Sequence, residues 1–228
     1  MPTRAASETA VASCVNVSKS YVMAAGNVTA LDDVTYTFHR GKLTVVGGPS
    51  GSGKSTLLRM LVGLDVPTTG EVWLDDEPIS RLRNSQKRRI RRSRVAYVFQ
   101  KPSDNLISYL TVWEHMTLAA RSRKVDTREI GPLLEDLGIA HRLRNLPKEL
   151  SGGEQQRLAF AQAVLGTPSL VAADEPTAEL DSATADHLID VMKKIAARDI
   201  AVVVASHDPD VIARADAILR LEQGRTIY

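Results

Sequence analysis

The sequence has 228 residues, of which 43% are hydrophobic, and its 29 basic side chains nearly balance its 27 acidic ones. A chain of this size and apolar content can bury the core of one large domain, which excludes a disordered tail and a small disulfide-stapled scaffold. The near balance of charge argues against global attraction to nucleic acid or anionic lipid. Cys14 is the single cysteine, so an internal disulfide and a thiol-rich metal site are excluded.

The N-terminus and the lengths of the apolar runs bear on the cellular compartment of the chain. Residues 1–10 contain a single arginine and no apolar stretch that could serve as a signal peptide. The best apolar runs, such as residues 200–205, are strand-sized and fall short of the roughly 18–20 residues that a membrane helix needs. We therefore expect a chain that stays in the cytoplasm and does not cross a membrane by itself.

The predicted elements begin after a small, polar N-terminal tail. Residues 1–13 are predicted to be flexible, and order is expected from Cys14 onward. Between Val15 and Val46, short β-branched clusters separated by glycines and polar turns predict several short strands. The apolar spacing of residues 57–64 then predicts a helix, and residues 72–74 and 95–99 return to strand character.

The middle of the chain is predicted to be a mostly helical insert. Apolar residues between Leu110 and Leu165 recur at helical spacing, with breaks at Gly138 and Pro147. After the insert, the pattern predicts a strand, a helix and two more strands, at residues 169–173, 182–197, 200–205 and 217–221. Because buried strands alternate with helices, we predict an α/β fold with a parallel sheet and right-handed crossovers.

One basic segment lies between Arg81 and Arg94. It could touch the phosphates of nucleic acid or lipid headgroups. No aromatic residue is interleaved with its lysines and arginines. We therefore interpret the segment as a solvated helix face.

A glycine-rich segment separates the strand predicted at residues 43–46 from the helix predicted at residues 57–64. It matches the phosphate-binding pattern G-x-x-x-x-G-K-[ST] and consists of Gly48, Pro49, Ser50, Gly51, Ser52, Gly53, Lys54 and Ser55. Gly51 and Gly53 permit backbone conformations that turn N–H groups inward around phosphates. Lys54 places a positive charge near the β- and γ-phosphates, and Ser55 offers a hydroxyl to Mg²⁺. The segment predicts that the chain binds a nucleoside triphosphate.

Polar side chains stand at the carboxyl ends of other predicted strands, where open α/β sheets place their ligands. Asp174 ends one strand and can hold Mg²⁺ through water, and Glu175 can act as general base on the water that attacks the γ-phosphate. His207 follows the next strand and can hydrogen-bond the γ-phosphate. Gln100 closes a third strand and offers an amide to Mg²⁺ and water. We predict that Glu175, His207 and Gln100 are catalytic and that Ser55, Gln100 and Asp174 face the metal.

The segment from Leu150 to Glu154 places two adjacent glycines on the first turn of a predicted helix. Each glycine costs about 1 kcal/mol relative to alanine there. Ser151 can cap the helix, which leaves free N–H groups and the positive end of the helix dipole aimed outward, toward a phosphate. Taken alone, the segment could also be an ordinary capped loop. With a phosphate loop in the same chain, we interpret Ser151, Gly152, Gly153 and Glu154 as a second phosphate-binding element.

These motifs together resemble the nucleotide-binding subunit of an ATP-binding cassette (ABC) transporter over residues 14–228. The resemblance implies a P-loop NTPase (ABC ATPase) fold with a RecA-like parallel-sheet core, an N-terminal antiparallel β subdomain and an inserted helical subdomain at about residues 101–165. In the family's terms, residues 48–56 are the Walker A loop, which ends at Thr56, and residues 173–176 end Walker B. Gln100 is the Q-loop glutamine, residues 178–181 are the D-loop, which ends at Asp181, and His207 is the switch histidine. Tyr21 resembles the aromatic residue that stacks on adenine.

The resemblance also implies an assembly. Two subunits stack head to tail, and each ATP on one Walker A loop is covered by Ser151, Gly152 and Gly153 of the other subunit. We expect a homodimer at the cytoplasmic face of the cell membrane that binds integral permease subunits and does not bind nucleic acid directly. A set of mostly apolar residues is predicted to form part of the groove for the permease's cytoplasmic helix, although it also fits the insert's own core: Asn105, Leu106, Ile107, Tyr109, Leu110 and Trp113.

Within the family, the compact length and residues 63–65 and 69–71 resemble the MacB, LolD and FtsE group, whose ATPases serve permeases that export or extract molecules or transmit force. Three features depart from the group: a longer loop between Gln100 and Thr111, Gln162 in place of an arginine, and the pair at residues 178–179. An importer subunit is the nearest alternative. A soluble ABC protein acting on nucleic acid or ribosomes is disfavoured, because the chain carries one cassette and no long coiled coil. A cassette that binds ATP without cleaving it is disfavoured because Glu175 and His207 are both present.

Overall fold

Two β-sheets organise the backbone. The structure is a computed structural model that describes residues 10–24 and 26–227. Within these residues the strands are Ala10–Met23 (β1), Gly26–His39 (β2), Leu43–Gly47 (β3), Thr69–Leu74 (β4), Val95–Val98 (β5), Leu170–Asp174 (β6), Ala201–Ser206 (β7), Ala217–Glu222 (β8) and Arg225–Ile227 (β9). The α-helices are Lys54–Leu61 (α1), Asn84–Ser93 (α2), Val112–Arg123 (α3), Ile130–Asp136 (α4), Gly152–Val164 (α5), Ser182–Ala196 (α6) and Pro209–Ala213 (α7).

The N-terminal sheet is antiparallel, in the order β2-β1-β4. Strands β1 and β2 form one long hairpin, so the prediction of several short strands between Val15 and Phe38 is wrong. The polar interruptions are bulges inside continuous strands, which a sequence pattern reads as strand ends. Asn16 (φ 49°) and Asp33 (φ 55°) take left-handed conformations at these irregularities, and Asn16 Nδ2 donates to Asp33 Oδ1 at 2.9 Å.

The start of β1 corrects the predicted N-terminal boundary. The predicted tail extends to residue 13, but β1 begins at Ala10, so the prediction is wrong for residues 10–13. The remainder, residues 1–9, lies outside the described residues. Ala12 is fully buried because it pairs with Phe38 on one side and Leu74 on the other. Small residues carry little local strand signal, and the neighbouring strands hold them in the sheet.

The second sheet has the order β5-β6-β7-β3-β8-β9, in which all pairs are parallel except β8 with β9. This sheet confirms the predicted α/β fold. Alternate residues along its strands enter two core layers, as the period of a strand requires. One layer, under the helical insert and α6, contains Val45, Val171 and Val202. The other layer, under α1 and the antiparallel sheet, contains Val46, Ala172 and Val203.

The helical insert packs on the first of these layers. Its helices α3, α4 and α5 bury Met116, Leu134 and Phe160 in the same core as α6. Among the described residues, none of the helices combines the length and the apolar character needed to cross a bilayer.

A buried histidine, which the sequence analysis missed, holds the loop before α3. Ile107 N donates to His115 Nε2 at 2.8 Å, and His115 Nδ1 donates to the carbonyl oxygen of Thr111 at 2.9 Å. Burial lowers the pKa of His115, against the raising effects of the Thr111 hydrogen bond and of the Glu114 charge. The imidazole is therefore neutral, and this is the form in which one nitrogen can accept while the other donates.

The basic segment at residues 81–94 is only in part the solvated face that its composition predicts. Arg88 and Arg89 on α2 are exposed, but Lys87 and Ile90 are buried against the protein. Arg91 Nη1 donates to the carbonyl oxygen of Gly63 at 2.6 Å. Part of the segment therefore attaches α2 to the loop after α1.

Cys14 provides a test of the antiparallel sheet. Its side chain is 1% exposed, and burial raises the pKa of its thiol to about 12. Because the thiolate is the reactive form, N-ethylmaleimide should label the native protein only as fast as the sheet opens, whereas the denatured protein should react at once. Timed labelling followed by mass spectrometry measures this. Labelling of the native protein at the rate of a free thiol would show that β1 is not held in the sheet.

Candidate active site

A cleft lies at the carboxyl edge of the parallel sheet and has a volume of ≈ 330 Å³. The loop after β3, the start of α1 and the ends of β5 and β6 form most of its wall. Its lining residues are Ala30, Ser50, Gly51, Gly53, Lys54, Ser55, Thr56, Gln100, Asp174 and Glu175. The parallel strand order thus brings the glycine-rich segment and three of the predicted strand-end groups, Gln100, Asp174 and Glu175, into one cavity, whereas His207 is not among its lining residues.

The loop between β3 and α1 requires glycine at two positions. Gly48 has φ 150°, and a Cβ there would lie 2.1 Å from the carbonyl oxygen of Leu221. Gly53 has φ 101°, and a Cβ there would lie 2.3 Å from the carbonyl oxygen of Ala30. Any side chain at either position would collide with backbone and occupy a disfavoured conformation. The two glycines let the loop pass closely over β8 and β2.

Lys54 folds back onto this loop. Its side chain is only 5% exposed, and its Nζ donates to the carbonyl oxygens of Gly48 at 2.8 Å and Pro49 at 2.9 Å. The same ammonium lies 3.7 Å from Glu175 Oε1. Ser52 N donates to the carbonyl oxygen of Pro49 and closes the turn at 3.2 Å. A phosphate that enters the cleft can therefore replace the Glu175 carboxylate as the charged partner of Lys54.

Both carboxylate oxygens of Asp174 accept hydrogen bonds from hydroxyl groups. Ser55 Oγ donates to Oδ1 at 2.9 Å, and the Tyr97 hydroxyl donates to Oδ2 at 3.0 Å. Tyr97 reaches Asp174 because β5 and β6 pair in parallel, with Tyr97 opposite Ala172. Burial and then the charge of Asp174 raise the pKa of Tyr97, which keeps its hydroxyl protonated. Tyr97 belongs to none of the sequence motifs, because only the order of the strands places it beside Asp174.

The groups around Asp174 suit Mg²⁺ by their chemistry. The Ser55 hydroxyl, the Asp174 carboxylate and the Gln100 amide line the same cleft and offer oxygen, the ligand atom that Mg²⁺ prefers. Within residues 10–24 and 26–227, no group of three or more His, Cys, Asp or Glu could hold a metal ion. Because Mg²⁺ commonly binds through one or two carboxylates plus substrate phosphates, this small set fits a metal that arrives with a nucleotide.

Glu175 combines a strained backbone with two nearby nitrogen groups. Its φ of 41° lies in the left-handed region, which costs a residue other than glycine about 1–3 kcal/mol. Its N–H donates to the carbonyl oxygen of Ala205 on β7 at 3.0 Å, which holds this conformation. Its Oε1 lies 3.3 Å from His207 Nδ1 and 3.7 Å from Lys54 Nζ. A carboxylate so placed at the edge of the cleft can accept a proton from a water molecule.

Tyr21 lies on β1, outside the set of cleft-lining residues. Its hydroxyl donates to Asp65 Oδ2 at 2.8 Å, and Lys19 Nζ lies 4.9 Å from the centre of its ring. Lys19 also forms an ion pair with Asp65 at 2.7 Å. These contacts orient the ring, and its stacking on adenine stays a prediction.

A capping box starts α5 at the predicted second phosphate-binding element. Glu154 N donates to Ser151 Oγ at 3.3 Å, and Ser151 N donates to Glu154 Oε2 at 2.8 Å. Arg142 Nε donates to Glu154 Oε1 at 2.8 Å. Burial by itself raises the pKa of Glu154, but the hydrogen bonds from Arg142 and Ser151 outweigh it and lower the pKa to about 2. Glu154 is therefore a charged structural residue that fixes the first turn of α5.

The two adjacent glycines have different surroundings. Gly152 is exposed, and a Cβ there would meet only Leu180 Cδ2 at 3.6 Å. Gly153 is buried, and a Cβ there would lie 2.2 Å from Thr184 Cγ2. The packing of α5 on α6 therefore favours glycine at position 153 within this chain. No local motif shows this reason, because Gly153 and Thr184 are brought together only by the fold.

Asp181 and the start of α5 lie apart from the cleft lining. Asp181 Oδ1 caps α6 by accepting from Thr184 N at 3.0 Å. Asp181, Ser151 and Gly152 are exposed, and the described residues 151–154 are not among those that line the cleft. The structure thus holds the two predicted phosphate-binding elements on separate surfaces of one chain.

A glycine-rich loop between a buried parallel strand and a helix, with an aspartate at the end of a second strand, defines a P-loop NTPase. Comparison with known proteins narrows this class. The family model described as ABC transporter matches residues 31–178. The chain belongs to the ABC transporter family and is one of its ATP-hydrolysing cassettes.

Relatives of known name or structure cover most of the chain. The lipoprotein-releasing system ATP-binding protein LolD of Pseudomonas syringae pv. tomato is 38% identical over 226 residues, which are 97% of this chain and 99% of LolD. The macrolide export ATP-binding/permease protein MacB of Campylobacter jejuni is 34% identical over 206 residues, which are 89% of this chain and 32% of MacB. The structure of the dimeric ATP-binding cassette MJ0796 bound to ADP and Pi superposes on this chain with a TM-score of 0.85. The two sequences are 33% identical, and the superposition covers 95% of this chain and 97% of the MJ0796 chain. These similarities confirm the predicted family, fold and ATPase activity and the resemblance to MacB and LolD.

The contact between Gly153 and Thr184 can be tested by denaturation. Gly153→Ala should lower the free energy of unfolding by about 1–3 kcal/mol, because the added methyl group overlaps Thr184. Adding Thr184→Ser removes the colliding methyl group, keeps the hydroxyl and should recover most of the loss. Gly152→Ala is the matched control and should change stability by less than about 1 kcal/mol. A Gly153→Ala protein as stable as the parent would refute the packing explanation.

Proposed function

We propose that two copies of this chain close head to tail on two ATP molecules and drive an integral membrane permease. One observation carries the proposal. The cleft contains the phosphate loop, Asp174 and Glu175, whereas the exposed start of α5 lies outside it on the same chain. A second copy can bring its own α5 over the open cleft. The dimeric form of the related MJ0796 cassette supports this arrangement.

Different residues at the cleft bind the phosphates, accept the proton of the attacking water and orient that water. The N–H groups of the Walker A loop and the Lys54 ammonium bind the β- and γ-phosphates. Glu175 accepts the proton of the attacking water. His207, whose Nδ1 lies 3.3 Å from that carboxylate, hydrogen-bonds the γ-phosphate and keeps the water in line. The pairing of Lys54 with Glu175 is exchanged for pairing with phosphate when ATP enters.

Ser55, Asp174 and Gln100 are the residues proposed to hold Mg²⁺. When bound, the ion neutralises charge that develops on the phosphate oxygens during cleavage. Asp174 faces this position with its Oδ1 directed to the Ser55 hydroxyl at 2.9 Å. Gln100 enters from the neighbouring strand and links the position to the helical insert.

In the proposed dimer, the start of α5 covers the nucleotide of the other copy. The partner's Ser151 and the partner's Gly152 are suited to this role because both positions are exposed on this chain. Backbone N–H groups at the positive end of a helix dipole bind phosphate oxygens there. Asp181 lies at the start of α6, which packs against Gly153, so the D-loop moves with the element that covers ATP. Tyr21 would stack on adenine from the P-loop side.

The permease is proposed to dock in a groove between the parallel sheet and the helical insert. The groove has a volume of ≈ 360 Å³ and is lined by Val62, Leu64, Arg91, Val95, Ala96, Tyr97, Phe99, Asp104, Asn105, Arg123, Ala159, Gln162 and Ala163. Leu64 is 47% exposed and Phe99 is 40% exposed, so the apolar part of the groove is open. Arg123 also lines the groove, and its Nη1 is buried without a hydrogen-bond partner among the described residues.

The six residues predicted for docking from the sequence differ in their exposure, and Leu110 is half-buried. Leu106 packs against the core of the insert, which is the alternative that its apolar character left open. Ile107, Tyr109 and Trp113 are 37%, 76% and 44% exposed, so they are available to a partner. Asn105 lines the groove.

The membrane system is proposed to export, extract or transmit force, with this subunit peripheral on the cytoplasmic face. The functions named for the relatives LolD and MacB, lipoprotein release and macrolide export, favour this over an importer. A soluble role on nucleic acid or ribosomes is not proposed, because part of the basic segment is used within the chain, as the Arg91 contact to Gly63 shows.

Glu175→Gln should separate ATP binding from ATP cleavage. Loss of the general base should lower turnover about 100-fold or more, while ATP binding and closure of the dimer are retained. Steady-state phosphate release and size-exclusion chromatography in ATP measure the two effects. Glu135→Gln, at an exposed position on α4, is the matched control and should behave as the parent. A Glu175→Gln protein that hydrolyses ATP at the parental rate would remove Glu175 from its proposed role.

Docking can be tested with the variant Ile107→Ala, Tyr109→Ala, Trp113→Ala. Truncating three exposed apolar side chains should reduce co-purification with the permease about tenfold or more, since such anchors dominate interface energies. The ATPase rate of the isolated cassette should be unchanged. Val22→Ala, at an 88% exposed position on the β1–β2 hairpin, is the control. Undiminished recovery of the permease with the triple variant would refute docking on Ile107, Tyr109 and Trp113.

A further inference from the structure

Tyr97 touches both the Asp174 carboxylate and the docking groove. It lies on β5, which is the neighbour of β6 in the parallel sheet. Its hydroxyl donates to Asp174 Oδ2 at 3.0 Å. The same residue is among those that line the ≈ 360 Å³ groove. A single residue thus spans the distance between the two places where the proposed function puts Mg²⁺ and the permease.

The hydroxyl of Tyr97 is one of two donors that orient the Asp174 carboxylate. A carboxylate at the end of a strand can rotate about its side-chain bonds unless its oxygens are held. Ser55 Oγ holds Oδ1 at 2.9 Å, but this hydroxyl belongs to the Walker A loop and has to turn toward a metal ion when a nucleotide binds. Tyr97 is then the donor that keeps Oδ2 in place and leaves Oδ1 directed into the cleft.

The ring of Tyr97 contacts Phe99, which is exposed at the groove. It makes an edge-to-face contact with Phe99, with ring centres 4.9 Å apart and ring planes at 70°. Phe99, which directly follows β5, is 40% exposed, whereas Val95 and Val98 on β5 are each 1% exposed. An occupant of the groove therefore meets the Tyr97–Phe99 ring pair, and a shift of this pair moves the hydroxyl relative to Asp174.

We propose that Tyr97 is a positioning residue that holds Asp174 for Mg²⁺ and transmits occupancy of the groove to the metal site. The inference rests on the proposed function, because it takes Asp174 as the carboxylate that faces Mg²⁺. It adds a residue that the phosphate-binding motifs do not contain and a physical route from the groove to the nucleotide.

The positioning role is tested by the affinity for ADP, measured by calorimetric titration in Mg²⁺ and in EDTA. Mg²⁺ should strengthen ADP binding to the parent protein, and Tyr97→Phe should reduce this gain about 10-fold or more, as expected for one lost hydrogen bond to a charged group. Affinity in EDTA should be unchanged. Tyr36→Phe is the matched control, because it removes the hydroxyl of a half-buried tyrosine that packs edge-to-face on Phe38 in the other sheet. It should bind ADP as the parent does under both conditions.

Two results would overturn the positioning role. Tyr97→Phe could keep the full gain from Mg²⁺, or it could lose affinity equally in Mg²⁺ and in EDTA, as general damage to the cleft would cause. Asp174→Asn separates this failure from failure of the proposed function. If Asp174→Asn abolishes the gain and Tyr97→Phe does not, only the inference fails. If Asp174→Asn also keeps the gain, the proposed metal position itself is wrong.

The link to the groove is tested by filling the groove covalently. Cys14 is buried, so Leu64→Cys creates a thiol in the groove that bromobimane can modify selectively. Modification should change the Mg²⁺-dependent gain in ADP affinity at least about twofold when Tyr97 is present. In the Leu64→Cys, Tyr97→Phe protein, the same modification should leave the gain unchanged. An equal change in both backgrounds, or no change in either, would show that Tyr97 does not transmit occupancy of the groove.

Discussion

Strands β3, β7 and β6 pair in parallel, with Gly47 opposite Ser206 and Asp174 opposite Ala205. This register places the start of the phosphate loop, the end of Walker B and the segment that carries His207 on one edge of the sheet. All three strands are buried on both faces, so a slip of one residue would exchange the side chains between two differently shaped core layers. The positions of the polar strand ends therefore follow from the packing of the apolar residues behind them.

The residues on this edge depart from their local preferences, and the fold holds them there. Glu175 takes a left-handed φ of 41°, and Lys54 is nearly buried with carbonyl oxygens and a carboxylate around it. Gly48 adopts a conformation in which no side chain fits. Strain of this kind persists only where the surrounding structure over-determines it, and it concentrates at functional sites. The two core layers supply the stabilisation that offsets it.

Contacts between distant segments connect the parts of the site. Gly153 packs on Thr184, so the turn that starts α5 and the turn that starts α6 are held together. The hydrogen bond from Tyr97 to Asp174 connects the edge of the groove with the cleft in the same way. Neither contact is visible in a motif, because each joins residues that only the packed fold makes neighbours. The first contact joins the proposed ATP-covering turn to the turn that contains Asp181, and the second joins the groove to the proposed metal position.

Features that depend on residues close together in the sequence could be predicted, whereas features that depend on contacts between distant segments could not. The phosphate loop, the capping box at Ser151 and the alternation of strands and helices depend on residues that are close in the sequence, so the sequence by itself determined the family, the α/β fold and the cleft-forming segments. The start of β1 at Ala10, the long hairpin and the packing of Leu106 against the core of the insert were decided by tertiary structure. Tertiary structure also decided that Tyr97 contacts Asp174 and that Gly153 contacts Thr184. Each of these depends on which strands and helices pack side by side, and a local pattern of residues carries no record of that.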